Sequence, residues 1–467
     1  MACNIEDKTE WVEDEILKNQ MLVADDSNKG SKLSSTSIAK ERSNFNKMAS
    51  FETKDKAFIF GIELLDKSIE KIHKHTISSY MQISAIAILD IGYVFAYGGL
   101  RGTAHYVFDT SASATGKDSV AEKSYQLYLK PVMELQSKAK EAYAYECESS
   151  EGKLPFKSFH CIHTADATAQ GTYRGFEETK AQYPRLGEVG NKMKNKEHPL
   201  MNFITDGYGK TTLIQPNYKK DLDTNGDLMV EGISLFFYGN SNIPMMGMNT
   251  FLHHLQGGLL NRCILIHNTH QRSYEERPHD YDLPYEIVKE ANAAIHQLIS
   301  FAKRYSGMAK PTLPRTKAYA DFDKYVFDQM NEMSNSGIQD MLKRTIQNLN
   351  GVIYTLHYLI CGQNNQWEAE IAESTINTGV RYMRYIIDNY STLIDEVIGV
   401  TQEVRDESNT DKLQAKIKSL LITGKTKILH RDLYRALRLN RKDYDALIEN
   451  LNYKIDHRFL YTHPVTV

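Results

Sequence analysis

Residues 111–119 indicate a phosphate-binding loop and read Ser-Ala-Ser-Ala-Thr-Gly-Lys-Asp-Ser. The common form is Gly, four residues, Gly, Lys and then Ser or Thr, set between a strand and a helix. Gly116 and Lys117 keep that pattern, whereas Ser111 replaces the first glycine and Asp118 replaces the hydroxyl residue. An apolar run at residues 105–108 precedes the loop. We predict an anion site at the start of the helix that follows, because helix N-termini present free N–H groups.

The loop defines a set of candidate phosphate contacts. Lys117 is placed to reach the outer phosphates of a nucleotide, although an ordinary turn with an exposed lysine fits the same letters. Asp118 either holds Mg²⁺ through water or repels phosphate, and Ser119 supplies a hydroxyl only if the register shifts. The candidate contacts are Ser113, Ala114, Thr115, Gly116, Lys117, Asp118 and Ser119.

A carboxylate that orients the attacking water is the second requirement of ATP hydrolysis. Glu188, in the segment 185–190, is the candidate, and with Asp118 it forms the predicted Mg²⁺ pair. Gly187 stands where an acid usually precedes this glutamate, and Pro184 is unfavourable in an interior strand. An exposed loop glutamate is an equal alternative.

Two further polar residues stand beside predicted strands. Asn240 follows the aromatic run at residues 233–238 and is a candidate sensor of the γ-phosphate, with a turn-forming asparagine as the alternative. Arg262 precedes the apolar run at residues 263–266 and could reach the nucleotide of a neighbouring subunit. An ion pair within the chain is slightly favoured for Arg262. Arg344, in an apolar helical pattern, has the same two interpretations.

Strands that alternate with helices between residues 105 and 266 predict an α/β fold with a mainly parallel sheet, as in RecA/AAA-like P-loop NTPases. In such sheets ligands bind beyond the carboxyl ends of the strands. The predicted domains are a polar tail (1–56), the ATPase core with N-terminal helices (57–275), a helical domain (276–403) and a winged-helix-like domain (411–467).

Composition limits the class of protein. Apolar residues make up 41% and charged residues 25%, which is ordinary for a globular chain, and the net charge of −3 excludes a wholly basic coat protein. The five cysteines are widely spaced without a CxxC pair, which favours a reducing, cytoplasmic location. The most apolar stretch, residues 83–97, contains Asp90 and is too short to span a bilayer, so no membrane association is expected.

The C-terminal segment is basic. From Asp411 onward it has twelve Lys or Arg against six Asp or Glu, a net charge of +6. This charge favours DNA binding, but Asp443, Asp445 and Glu449 in the third predicted helix fit a protein partner equally well. The candidate DNA contacts are Lys425, Lys427, Arg431, Arg435, Arg438, Arg441 and Lys442.

The order of several stretches resembles an uncharacterised P-loop ATPase domain family of prophages, plasmids and integrative elements, frequent in primase–helicase-like replication proteins. The resemblance spans about residues 75–460 and rests on segments 80–87, 114–118, 168–178, 187–190, 257–262 and 431–435. It implies ATP binding by Thr115, Gly116 and Lys117, with Glu188 as catalytic acid. Relatives often carry an acid directly after the loop lysine, as at Asp118, but usually have Asp-Glu where this chain has Gly187-Glu188.

Together these features favour an ATP- and Mg²⁺-dependent DNA motor of a mobile element, acting as a homo-oligomeric ring on single-stranded or origin DNA with replication proteins as partners. In this hypothesis Lys117, Glu188, Asn240 and Arg262 are catalytic. A nucleotide-binding oligomer with a degenerate site is the first alternative, and a DNA-binding replication initiator without turnover is the second.

Overall fold

Five parallel strands form the path of the central sheet, in the order β2-β3-β7-β1-β8, and a short strand, β6, pairs with β3. The computed structural model of the chain describes residues 77–112, 115–149, 157–164, 167–195, 197–215, 228–268, 283, 285–332, 336–384, 386, 387, 390 and 393, and three C-terminal strands. The strands are β1 (Tyr106–Asp109), β2 (Ile162–His163), β3 (Ala181–Glu188), β6 (Ser234–Leu235), β7 (Phe237–Asn240) and β8 (Ile264–Ile266). The prediction of an α/β fold with a mainly parallel sheet is confirmed.

The strands are short and apolar because both faces of the sheet are covered. Every residue of β1, β7 and β8 is buried, as expected for parallel strands between helices. The predicted strand at residues 233–238 is instead divided into β6 and β7, so that Asn240 is the last residue of β7 rather than part of the following turn.

Pro184 lies inside β3, although proline is unfavourable in an interior strand. Gln182 accepts from Phe236 N on one side and Tyr183 donates to Cys161 O on the other. Successive backbone N–H groups of a strand point alternately to its two neighbours, so an N–H at residue 184 would point towards Phe236. Phe236 lies between β6 and β7 and belongs to neither strand. The break between these two strands therefore accommodates the proline, and the predicted conflict does not exist.

Helix α1 (Ile77–Tyr97) is buried from Met81 to Ala96. It packs against β1, β8 and the helix that follows the loop, as its nearly uniform apolar sequence predicts. After the loop, α2 (Lys117–Ser124), a π-helical turn (Tyr125–Leu129) and α3 (Lys130–Ser149) form one continuous helical stretch. The helix predicted after the loop is confirmed, with the π turn as an addition.

Shorter helices connect the strands. They are α4 (Ala169–Glu178), α5 (Gly190–Lys194), α6 (Pro199–Gly207), α7 (Ile243–Met246) and α8 (Met248–Gln256). Thr168 caps α4 by accepting a hydrogen bond from Gly171 N, and Asn242 caps α7 by accepting one from Met245 N. The antiparallel hairpin β4 (Thr212–Gln215) and β5 (Leu228–Glu231) was not predicted.

Three long helices follow the sheet: α9 (Tyr285–Arg304), α10 (Lys317–Glu332) and α11 (Ser336–Asn364). Residues 373–384 are also helical. α9 and α11 contact α1, and α11 also contacts the 3₁₀ turn Leu260–Arg262, so these two helices pack against the sheet-bearing part of the chain. Within the described parts of the chain, no helix has the length and apolar character needed to cross a membrane.

The chain divides into two compact units, Met1–Tyr390 and Ser391–Val467. In the second unit, β9 (Lys427–Leu429), β10 (Tyr453–Asp456) and β11 (Phe459–Pro464) form an antiparallel sheet in the order β10-β11-β9. β10 and β11 lie within the predicted winged-helix-like domain (411–467). The predicted C-terminal helices and the tail at 1–56 lie outside the described residues.

Candidate phosphate and nucleotide site

The loop connects the carboxyl end of β1 to the first turn of α2. Gly116 is the residue before α2 and has φ 83° and ψ 16°, a left-handed conformation that favours glycine. Gly116 O accepts from Val120 N at 2.9 Å, so α2 starts immediately after it. The unpaired N–H groups of a helix's first turn carry partial positive charge. The local geometry is therefore compatible with the predicted anion site.

Side chains also hold the loop. Thr115 Oγ1 donates to Ala112 O at 2.9 Å, a hydrogen bond within the loop that joins residues three positions apart. Ala112 N donates to Asn268 O at 3.0 Å, so the loop continues the pairing of β1 with the segment after β8. The predicted contacts Ser113 and Ala114 lie outside the described residues.

Lys117 is the first residue of α2 and is only 7% exposed. Near it, Asp109 ends β1 and is fully buried. Burial raises the pKa of Asp109, while hydrogen bonds from Ser111 and Gln82 and the charge of Lys117 oppose that rise. The lysine thus lies beside a buried carboxyl group that sequence analysis did not select.

Asp118 occupies the second position of α2, with Ser119 one residue farther along, so the register does not shift. The exposed Asp118 accepts a hydrogen bond at Oδ1 from Asn240 Nδ2, at 3.0 Å. Asn240 is 1% exposed, and its Oδ1 is buried and accepts no hydrogen bond from the described residues. A buried carbonyl oxygen without a donor is unusual in a folded protein and marks Asn240 as a candidate functional residue.

Glu188 lies at the carboxyl end of β3, and its Cα is paired in register with that of Asn240. Asn240 is paired in turn with Asp109 of β1. The ends of β1, β7 and β3 are therefore aligned, with strands about 4.8 Å apart. Glu188 is exposed and lies two strands from the loop, roughly 10 Å from β1. That separation leaves room for a phosphoryl group and a water molecule between them.

The segment after Glu188 is tightly packed. Glu188 Oε1 accepts from Gly190 N at 3.2 Å. A side chain at Gly190 would collide with Ser241 Oγ, whereas a Cβ at Gly187 would meet nothing within 4 Å. Gly187 therefore tolerates the aspartate that stands there in the common motif.

A buried ion pair supports α2 and β3 from behind. Arg185 Nη2 lies 3.2 Å from Asp90 Oδ2, and Asp90 also accepts from Tyr183 Oη at 2.7 Å and from Ser124 Oγ. Arg185 donates to Ala121 O in α2. Burial alone would lower the pKa of Arg185, but the charge of Asp90 outweighs it and the pKa is raised. This network fixes α2, which carries Lys117, relative to β3, which carries Glu188.

Arg262 is not brought to the site. It precedes β8, at the amino end of the sheet, whereas the loop follows the carboxyl end of β1. The five steps along the chain from Cys263 to Asn268 span about 17 Å when extended. Arg262 Nη1 donates to Gly258 O at 2.6 Å and to Asn261 Oδ1 at 3.1 Å, and among the described residues it does not form the predicted ion pair.

Arg344 lies close enough to affect the guanidinium of Arg262. Burial and the positive charge of Arg344 lower the pKa of the Arg262 guanidinium. Asn348, one turn after Arg344 in α11, donates to Arg262 O at 3.2 Å. Both arginines therefore lie at the amino-end edge of the sheet, away from their own chain's loop.

One of the seven candidate DNA contacts lies in the described part of the chain. Lys427 begins β9. Outside the described residues lie Lys425, Arg431, Arg435, Arg438, Arg441 and Lys442.

Sequence analysis missed four residues that shape the site: Gln82, Asp90, Asp109 and Arg185. Two of them gave a signal, because Asp109 ends an apolar strand directly before the loop and Asp90 interrupts an apolar helix. A charge in such a place requires a partner. The sequence around Gln82 and Arg185 contains no comparable signal.

Two carboxylates, Asp118 and Glu188, lie at the carboxyl edge of the sheet on either side of Asn240. Within the described ranges there is no group of three or more His, Cys, Asp or Glu placed to hold a metal. Mg²⁺ is commonly held by one or two carboxylates together with substrate phosphates, so this pair suits a metal that arrives with a nucleotide.

No protein-family model matches the chain, and no curated protein matches it.

Proposed function

We propose that the chain is a P-loop NTPase with a RecA/AAA-like core that binds and hydrolyses ATP. The observation that carries the proposal is the alignment of Asp109, Asn240 and Glu188 at the ends of three adjacent parallel strands, beside Lys117 and the first turn of α2. A positive loop, a polar amide and a carboxylate at that edge are the three parts that hydrolysis of a phosphoanhydride needs.

Each residue has a role in this mechanism. Lys117 and the N–H groups of α2 neutralise charge on the β- and γ-phosphates. Asn240 orients the γ-phosphate or the attacking water through its amide. Glu188 accepts a proton from that water, and its exposed position at the end of β3 gives it access. Bound Mg²⁺ would polarise the phosphate oxygens, and Asp118 and Glu188 are the residues that would hold it.

Coupling of turnover to DNA, in a helicase-like replication protein of a mobile element, is part of the proposal. It is supported by the sequence resemblance and by the net charge of +6 from Asp411 onward. Arg262 would serve a neighbouring copy in a ring, because its position at the opposite edge of the sheet prevents it from serving its own loop.

Phosphate release by the full chain, with and without single-stranded DNA, tests this function. The Lys117→Ala variant should lose turnover and most of its ATP affinity. Lys130→Ala, which removes an exposed lysine from α3, is the matched control and should behave as the wild type. Equal turnover in wild type and Lys117→Ala would exclude this site as the source of activity.

A second candidate is a protein that binds nucleotide to order an oligomer, without turnover. The observation that favours it is Gly187, which leaves Glu188 without its usual acidic neighbour. ATP binding with no phosphate release above background, with or without DNA, would support this candidate over the first.

A further inference from the structure

Ser111 replaces the first glycine of the loop, yet the backbone there does not require glycine. Among the described non-glycine residues only Asn365 has a positive φ. Ser111 is fully buried, so its side chain occupies space inside the fold rather than space left for a ligand. The serine is therefore compatible with the loop and needs an explanation other than decay.

The Ser111 hydroxyl joins three elements. Asn268 N, after β8, donates to Ser111 Oγ at 3.0 Å. Gln82 Nε2, on α1, donates to the same oxygen at 3.4 Å and to Asp109 Oδ2 at 2.6 Å. Ser111 N donates to Asp109 Oδ1 at 2.9 Å. The first residue of the loop is thereby tied to α1, to the end of β1 and to the segment after β8.

We propose that Ser111, with Gln82, is a positioning residue that fixes the start of the phosphate loop, and that the consensus glycine would weaken nucleotide binding here. The inference rests on the proposed nucleotide site. Glycine would remove the shared acceptor of Asn268 and Gln82 and would add backbone freedom that binding must then remove. The hydroxyl touches no reacting atom, so the chemical step is unaffected.

Titration calorimetry with Mg·ATP tests the proposal on the full-length wild type, Ser111→Gly, Ser111→Ala and Gln82→Met. The three variants should bind about tenfold more weakly, which corresponds to 1.4 kcal/mol. Their kcat should stay within about twofold of the wild type, because uniform binding is lost rather than transition-state binding. Ser111→Ala keeps the Cβ and loses the hydroxyl, so it separates the hydrogen bonds from backbone freedom.

Hydrogen exchange in the absence of nucleotide supplies a second measurement. The Asn268 amide should exchange faster in Ser111→Gly and Ser111→Ala than in the wild type. Wild-type affinity in Ser111→Gly, or tighter binding, would overturn the inference while leaving the proposed function intact. Absence of Mg·ATP binding by the wild type would instead overturn the proposed function, and the inference with it.

Discussion

The side-chain nitrogen of Asn240 donates a hydrogen bond to Asp118 Oδ1 at 3.0 Å, which joins the end of β7 to the first turn of α2. The two residues are 122 positions apart in the chain. Asn240 is paired in register with both Asp109 and Glu188, so this single amide contacts or adjoins every acid at the carboxyl edge of the sheet that the proposal uses. The relationship makes the charge of Asp118 the first variable to test.

Asp118→Asn keeps the oxygen that accepts from Asn240 and removes the negative charge. If Asp118 helps to hold Mg²⁺, the variant should bind ATP tighter than wild type in EDTA and weaker in Mg²⁺, each by about tenfold, or 1.4 kcal/mol. Calorimetry under both conditions gives the two affinities. Tighter binding in both conditions would show that Asp118 only repels phosphate, and Asp118→Ser provides the consensus hydroxyl for comparison.

Glu188→Gln should lower turnover by about 10²–10⁴-fold, because the amide cannot accept a proton from water. ATP affinity in EDTA should hold, since the exposed Glu188 lies two strands from the loop and the Mg²⁺ that it would help to hold is absent. Single-turnover phosphate release measures the chemical step. Unchanged turnover would remove Glu188 from the mechanism.

Gly187→Asp should fold normally, because a Cβ at this position meets nothing within 4 Å. With its second acid restored, the site should hold Mg²⁺ more tightly and turn over faster at limiting Mg²⁺. Gly187→Ala is the matched control, with the same added Cβ and no charge. Equal Mg²⁺ dependence in the two variants would contradict the predicted metal position.

Arg262→Ala should lower turnover by about 10³-fold or more if the arginine acts on a neighbouring copy. Mixing Arg262→Ala with Lys117→Ala chains should restore part of the activity, because mixed oligomers contain some sites with both residues intact. Phosphate release across a series of mixing ratios measures this complementation. If mixing restores no activity although both variants are folded and oligomeric, Arg262 does not act on a neighbouring copy. Its role would then be limited to its hydrogen bonds within its own chain, such as the one to Gly258 O.

Asp90→Ala should destabilise the fold by about 3–5 kcal/mol, because it leaves the Arg185 guanidinium buried without its counter-ion. The control is Asp340→Ala, which removes a solvent-exposed pair with Lys343 at 3.1 Å and should cost under about 1 kcal/mol. Urea unfolding of the full chain compares the two. Similar losses in both variants would show that the buried pair adds nothing special.

Acid should destabilise the protein through His105. Burial lowers its pKa from 6.5 to about 4, so the unfolded chain binds more protons between these values. The contribution of the neutral ring to the free energy of unfolding has its full value above pH 6.5. It falls by about 3 kcal/mol in total as the pH falls to 4. His105→Asn should flatten stability against pH in that window, whereas His253→Asn, at an exposed position, should not. Parallel curves for wild type and His105→Asn would contradict this.

The sequence by itself determined the local parts of this protein. Gly116 and Lys117 after an apolar strand predicted the loop, and the start of α2 directly after Gly116 agrees with that local pattern. A nearly uniform apolar sequence predicted α1, and apolar periodicity predicted the helices after the sheet, because both patterns depend only on residues that are close in the chain. The prediction at Pro184 was wrong because it used a local rule without knowing that the neighbouring strands break opposite it.

Only the tertiary structure decided which residues meet. β7 lies between β1 and β3, although it comes last of the three along the chain. That order sets Asn240 between Asp109 and Glu188, places Asn268 against Ser111 and removes Arg262 from its own loop. Strand order arises from packing and from pairing between distant segments, and nothing in the residues next to Asn240 specifies its neighbours across the sheet.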